Sequence, residues 1–173
     1  MKNMKFSLLA AFAMMLAVSS FTGCTDPCKD VTCVKGECVE GDCVCDTGYE
    51  GVDCGTALNA KFDGSFSMTA ETCTNSGSIS APYAVTIAAS STDPSKIVFT
   101  GLYEEAGATA NAVIATNGTD LTIARANYSN FNAEIAGTGT LSADKSTLTL
   151  TYTIYDSGNG NVLDVCTSTL TRQ

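Results

Sequence analysis

The 173-residue chain contains no histidine. Neither a Ser-His-Asp triad nor a Cys-His pair can therefore form. The glycines of Gly137–Gly139 lack the following helix and lysine of a phosphate-binding loop. Glu104 and Glu105 are neighbours in sequence and are typical of a solvated turn, whereas a glycosidase needs carboxylates that face each other across a cleft. We therefore expect a protein that is not an enzyme and needs no cofactor.

Long hydrophobic runs are also lacking. Phe6–Val18 is a run of 13 apolar and small residues, too short to cross a bilayer as a helix. It follows the basic residues Lys2 and Lys5, and small polar residues come after it. This order predicts a secretory signal peptide over residues 1–23.

The segment Phe21–Cys24 (FTGC) resembles a bacterial lipobox, in which a small residue precedes the cysteine that receives lipid. Phe21 stands where leucine is usual, as in the looser variant of some Gram-negative bacteria. The resemblance implies that Cys24 is the lipid attachment site and that the protein is anchored to the outer membrane, facing the cell surface. The alternative is ordinary cleavage, with Cys24 as a spare thiol.

Basic residues are few. The chain has 9 basic and 18 acidic residues, and removal of the signal peptide leaves 7 basic residues and a net charge of −11. Such a chain is a poor partner for nucleic acid or for anionic lipid surfaces. We expect no nucleic-acid partner, contact with the membrane only through the lipid anchor, and a protein or glycan ligand.

Cysteine is abundant, and the last six of the seven cysteines in residues 24–54 have the spacing C-x4-C-x4-C-x4-C-x-C-x8-C. Six cysteines allow 15 pairings, so spacing alone does not choose among them. Residues 24–54 cannot bury enough apolar surface to fold without cross-links. Each bridge should contribute about 2–3 kcal/mol.

The spacing, together with Gly48, Tyr49 and Gly51 before the last cysteine, resembles an EGF-like module. The resemblance implies three disulfides, which are Cys28–Cys38, Cys33–Cys43 and Cys45–Cys54. A zinc site is the alternative for a cysteine cluster, but paired CxxC knuckles and histidine are both missing. The acidic and aromatic pattern of calcium-binding EGF modules is missing as well. We expect no metal.

A short linker, residues 55–60, leads into residues 61–173. In this second part of the chain, apolar and polar residues alternate with a period of two. The clearest case is Ser146–Tyr155, in which Leu148, Leu150, Tyr152 and Ile154 alternate with threonines. In the first run, the pattern predicts that Phe62, Phe66, Met68 and Ala70 face inward and that Glu71 faces outward.

Turn signals separate about eight such runs. This regular spacing predicts an antiparallel barrel or sandwich, so the whole chain is expected to be all-β. The predicted strands are 62–72, 82–90, 96–103, 109–116, 120–126, 131–141, 146–155 and 161–171.

Cys73 and Cys166 remain once the EGF-like cysteines and Cys24 are assigned. A bridge between them would join the first and last strands of this domain and contribute up to about 4–5 kcal/mol. Cys73 does not match the inward parity of its strand, so we expect a bulge or a strand end there.

The domain resembles the small lipocalin-like domains of bacterial surface lipoproteins. The resemblance rests on Gly64–Cys73, Tyr83–Ile97, Gly137–Asp156 and Cys166–Thr171. The glycine-tryptophan entry motif of true lipocalins is missing, since the chain has no tryptophan.

Two functions follow from these expectations. In the first, an EGF-like spacer presents the β-domain for binding or adhesion. In the second, the barrel lumen carries a small lipophilic ligand. Tyr103, Tyr128, Phe131 and Tyr155 are candidates for an exposed aromatic patch, although aromatic residues at strand ends more often cover the core.

Overall fold

The structure is a computed structural model that describes residues 26–128 and 132–173. The predicted signal peptide, residues 1–23, and the predicted lipid attachment site Cys24 lie outside the described residues. Within the described ranges, no helix has the length and apolarity needed to cross a membrane.

The described residues form short antiparallel strands and two 3-10 helices, Leu58–Lys61 and Leu102–Glu104. The strands are β1 Gly36–Val39, β2 Asp42–Cys45, β3 Tyr49–Glu50, β4 Thr56–Ala57, β5 Gly64–Cys73, β6 Gly77–Ser78, β7 Tyr83–Ala89, β8 Lys96–Thr100, β9 Thr109–Ile114, β10 Asp120–Tyr128, β11 Ala133–Leu141, β12 Thr147–Asp156 and β13 Val162–Arg172.

A closed antiparallel barrel contains eight of these strands. They follow each other in sequence order from β7 to β13, and β5 pairs with both β7 and β13 to close the ring. The short strand β6 pairs only with β5. The predicted all-β class is therefore confirmed, and of the two predicted architectures the domain has the barrel and not the sandwich. Closure leaves no open edge on these eight strands.

The predicted alternation holds well on β12. Leu148, Leu150, Tyr152 and Ile154 are all buried, and Thr149 and Thr151 on the opposite face are exposed. Phe62, which follows the first 3-10 helix, fills the interior with them, together with Phe66, Met68, Phe99 and aliphatic side chains from the other strands. A barrel of eight strands is just wide enough to be filled in this way.

The prediction for the second half of β5 was wrong. Thr169 of β13 pairs with Ala70 and Leu170 pairs with Met68, so Thr69 is an extra residue in β5. Because side chains alternate along a strand, one extra residue reverses the faces that follow it. Ala70 is therefore exposed rather than inward, and Glu71 is buried rather than outward. The bulge also turns Cys73 inward, as its mismatched parity indicated.

Residues 26–57, here called the disulfide-rich region, have little apolar core of their own. Four of its valines are exposed, with Val52 97% accessible. Its folded form depends on three bridges, Cys28–Cys38, Cys33–Cys43 and Cys45–Cys54. These pairs coincide with those that the EGF-like resemblance implies. A fourth bridge joins Cys73 to Cys166 across the β5–β13 seam.

The segment expected to be a linker, residues 55–60, is packed against both parts of the chain. Its strand β4 pairs with β3, and the amide nitrogen of Leu58 donates to the carbonyl oxygen of Gly48 at 2.8 Å. A Cβ added to Gly48 would lie 2.6 Å from the ring of Pro94, in the turn between β7 and β8. Close backbone approach therefore requires glycine at this contact.

Asn59 connects this segment to the barrel. Its side chain is buried, and its Nδ2 donates to the carbonyl oxygens of Ser90, Asp93 and Lys96 at 3.0–3.1 Å. Nearby, Lys61 Nζ forms an ion pair with Glu50 of the disulfide-rich region at 2.7 Å. These contacts dock the disulfide-rich region against one end of the barrel, where β5 begins and the β7–β8 turn lies.

We predict that Asn59→Ala lowers the free energy of unfolding by about 2–4 kcal/mol, because it removes a buried amide that donates to three carbonyl oxygens of the β7–β8 turn. Asn59→Asp should cost more, since a carboxylate would face those same oxygens. Urea denaturation followed by circular dichroism measures both effects. The exposed Asn111→Ala is the matched control and should change stability little. Equal losses for Asn59→Ala and Asn111→Ala would contradict this account.

Candidate functional site

The most unusual side chain in the barrel is the buried carboxylate of Glu71, which is 4% exposed. Three hydroxyl groups donate to it. Tyr83 Oη donates to Oε2 at 2.9 Å, Ser168 Oγ donates to Oε1 at 2.9 Å, and Tyr152 Oη also donates to Oε1. The donors come from β7, β12 and β13, so barrel closure is what assembles the cluster.

Glycine on β11 makes room for Tyr152. Gly137 pairs with Tyr152 and faces the interior. A Cβ at Gly137 would lie 2.7 Å from Tyr152 Cβ and 2.7 Å from the Thr151 carbonyl oxygen. A side chain at this position would displace the ring that reaches Glu71, so Gly137 has a packing role.

The tyrosines of this cluster are held in their neutral form. Burial, and then the charge and hydrogen bond of Glu71, raise the pKa of Tyr83 far above its ordinary value. Burial and the Glu71 hydrogen bond do the same to the pKa of Tyr152. Both hydroxyls therefore stay protonated and able to donate at any physiological pH.

Glu71 has no cationic partner among the described residues. The three ion pairs found there lie elsewhere, at Lys61–Glu50, Lys96–Asp93 and Arg125–Glu134. A buried charge is costly unless hydrogen bonds and an opposite charge compensate it. Here three hydroxyl donors supply the hydrogen bonds, and no side chain in the described ranges supplies the opposite charge.

A tight turn lies beside this cluster, between β8 and β9. Gly101, Tyr103 and Glu104 all have positive φ, with values of 93°, 57° and 57°. For residues other than glycine this conformation costs roughly 1–2 kcal/mol each. Tyr128 Oη holds the turn by donating to the Leu102 carbonyl oxygen. The strained turn places Tyr103 and Glu104 at the end of the barrel.

Asp164, at the start of β13, organises the loop after β5. It is 1% exposed and accepts hydrogen bonds from Thr74 Oγ1, Ser76 Oγ, the amides of Asn75 and Ser76, and Tyr103 Oη. Burial alone would raise the pKa of its carboxyl group. The hydrogen bonds from Ser76, Asn75 and Thr74 outweigh burial and hold the pKa well below its usual range.

A cavity of about 280 Å³ opens beside Glu71. Its walls include Glu71, Tyr103, Glu104, Ile79 and the hydroxyl-bearing Ser76 and Ser78. Because β5 begins at the docked end and runs to Cys73, this cavity lies at the barrel end opposite the disulfide-rich region. The site therefore combines a buried carboxylate, an exposed carboxylate, hydroxyl groups and one aromatic ring.

The residues of the site do not suit a metal. In the part of the chain that the structure describes, one group of three potential ligands occurs, formed by Glu71, Cys73 and Cys166. The two sulfurs belong to a disulfide and are not thiolates, which are the form that binds zinc.

Of the residues that the sequence analysis singled out as candidates, Cys73, Tyr103 and Glu104 line the cavity. The proposed aromatic patch does not form as a unit: Tyr128 is fully buried in the barrel, whereas Tyr103 and Tyr155 are partly exposed, and Phe131 lies outside the described residues. Tyr155 instead stacks on Arg125, whose guanidinium carbon lies 3.9 Å from the centre of the Tyr155 ring. Sequence reasoning missed Glu71, although the parity of Cys73 gave the signal, since Glu71 shares its face.

Comparison with known proteins gives no family assignment. No family model matches the chain, and no curated protein is significantly similar to it in sequence.

Tyr152→Phe should lower the free energy of unfolding by about 1.5–3 kcal/mol, because it removes a hydrogen bond to a charged, buried group. Tyr155→Phe, on the outer face of the same strand, is the control and should change stability by less than about 0.5 kcal/mol. Chemical denaturation followed by circular dichroism measures both. Loss of stability in Tyr155→Phe that matches Tyr152→Phe would disprove the role given to the Glu71 cluster.

Asp164→Asn should destabilise the protein at pH 7 by about 2–4 kcal/mol. The folded-state pKa is lowered, so the Asp164 contribution is complete above the unfolded value near pH 4 and is lost as the pH falls below it. The difference between variant and parent should therefore shrink below about pH 4. Thermal unfolding from pH 7 to pH 2 measures it, with the exposed Asp30→Asn as control. A difference independent of pH would argue against the proposed hydrogen-bonded carboxylate.

Proposed function

We propose that this protein is a non-enzymatic, lipid-anchored protein of the bacterial outer membrane, in which an EGF-like spacer presents a small β-barrel at the cell surface for binding or adhesion. Lipid on Cys24 would hold it in the membrane, because several acyl chains together give durable anchoring. In this arrangement the barrel end with the cavity faces away from the membrane.

One observation supports the proposal most. The disulfide-rich region docks on the barrel end that carries the Ser90–Lys96 turn, through Asn59 and the Glu50–Lys61 ion pair. The opposite end carries the cavity with Glu71, Tyr103 and Glu104. A rigid connection of this kind suits a spacer that keeps a binding surface at a distance from its anchor.

The packing of the lumen favours binding at the barrel end over transport of a lipophilic molecule inside it. Phe62, Phe66, Phe99, Tyr128 and Tyr152 are each at most 1% exposed and occupy the interior together with aliphatic side chains. A carrier would need this space for its ligand. Glu71 and its hydroxyl donors also make the interior polar near the cavity, which suits a polar ligand.

Protease shaving of intact cells, followed by mass spectrometry of the N-terminal peptide, tests the anchor and the orientation. We expect a diacylglyceryl-modified Cys24 and release of barrel peptides from intact cells. Cys24→Ala should release the protein from the membrane fraction without unfolding it. An unmodified Cys24 thiol in the mature protein, or barrel peptides that are protected until the cells are opened, would refute the surface lipoprotein.

A further inference from the structure

We propose that the cavity at the free end of the barrel binds a small organic cation, with its ammonium group directed toward Glu71. This inference names a ligand class for the binding head and so rests on the proposed function.

The charge of the site selects a cation. Glu71 is a buried carboxylate whose hydrogen bonds come from neutral hydroxyls, and within the described ranges no basic side chain pairs with it. Glu104 adds a second carboxylate at the rim. An ammonium ion would supply the compensating charge that the buried Glu71 lacks.

The size and remaining walls of the cavity select a small organic molecule. About 280 Å³ is at or just below the lower end of ligand-pocket volumes, which suits a compact amine. Ile79 and the ring of Tyr103 offer apolar and aromatic contact, which a cation on a short apolar body can use. Ser76 and Ser78 offer hydroxyl oxygens as further acceptors for ammonium hydrogens.

The alternative of a bare divalent cation fits less well. Calcium takes six to eight oxygen ligands, many of them from carboxylates and carbonyls. Three hydroxyl donors already occupy Glu71, which leaves about one of the four lone-pair sites of its carboxylate. One remaining site can accept a single ammonium N–H but cannot supply the oxygen shell of calcium.

Isothermal titration calorimetry of the whole chain in detergent, with benzylamine as the probe, tests the proposal. We expect saturable binding of benzylamine and at least tenfold weaker binding of benzyl alcohol, its neutral counterpart, because hydrogen bonds to charged groups contribute this factor or more. Glu71→Gln should weaken benzylamine binding at least tenfold. The exposed Glu104→Gln should weaken it severalfold, and Glu37→Gln in the disulfide-rich region should leave it unchanged.

Equal binding of benzylamine and benzyl alcohol would overturn the proposal, as would no binding of benzylamine or binding of calcium alone in its place. Should Glu71→Gln fail to fold, Glu104→Gln and the alcohol comparison still decide the outcome. The two proposals fail separately. A lipidated, surface-exposed protein that binds no amine would support the proposed function and refute the cation site. An unlipidated protein that binds benzylamine would do the reverse.

Discussion

The pairing of β5 with β13 is the constraint on which the rest of the structure depends. It closes the ring of eight strands, and it also sets the register in which Thr69 becomes an extra residue. From that bulge onward the faces of β5 are exchanged, which brings Glu71 and Cys73 into the interior. The Cys73–Cys166 bridge lies on this seam and joins strands that are distant in sequence, so it restricts the unfolded chain strongly.

The same register places a charged side chain, Glu71, in an otherwise largely apolar interior. Burial of Glu71 carries a desolvation cost, and Tyr83, Tyr152 and Ser168 offset part of it with hydrogen bonds. An ordinary core position would hold an aliphatic side chain at less cost. Residues in energetically unfavourable surroundings are concentrated at functional sites. Here the buried Glu71 lies beside a cavity and a strained turn.

The two ends of the barrel differ in structure. At one end, the Asn59 amide and the Lys61–Glu50 pair join the barrel to a region that has little core and depends on its disulfides. At the other end, Asp164 orders the loop after β5, and the turn with Tyr103 and Glu104 borders the cavity. A rigid attachment at one end and acidic groups at the other are consistent with a head that binds at its free end.

The sequence by itself determined the all-β class, the positions of the strands and the division of the cysteines between the two parts of the chain. These follow from local properties: the alternation of Leu148–Ile154 needs no knowledge of the partner strand, and cysteine spacing is read directly. Only the tertiary structure decided that Glu71 lies inside and Ala70 outside, because a bulge depends on the register between β5 and β13, which are about a hundred residues apart. The cavity has the same origin, since its walls come from segments that meet only when the barrel closes.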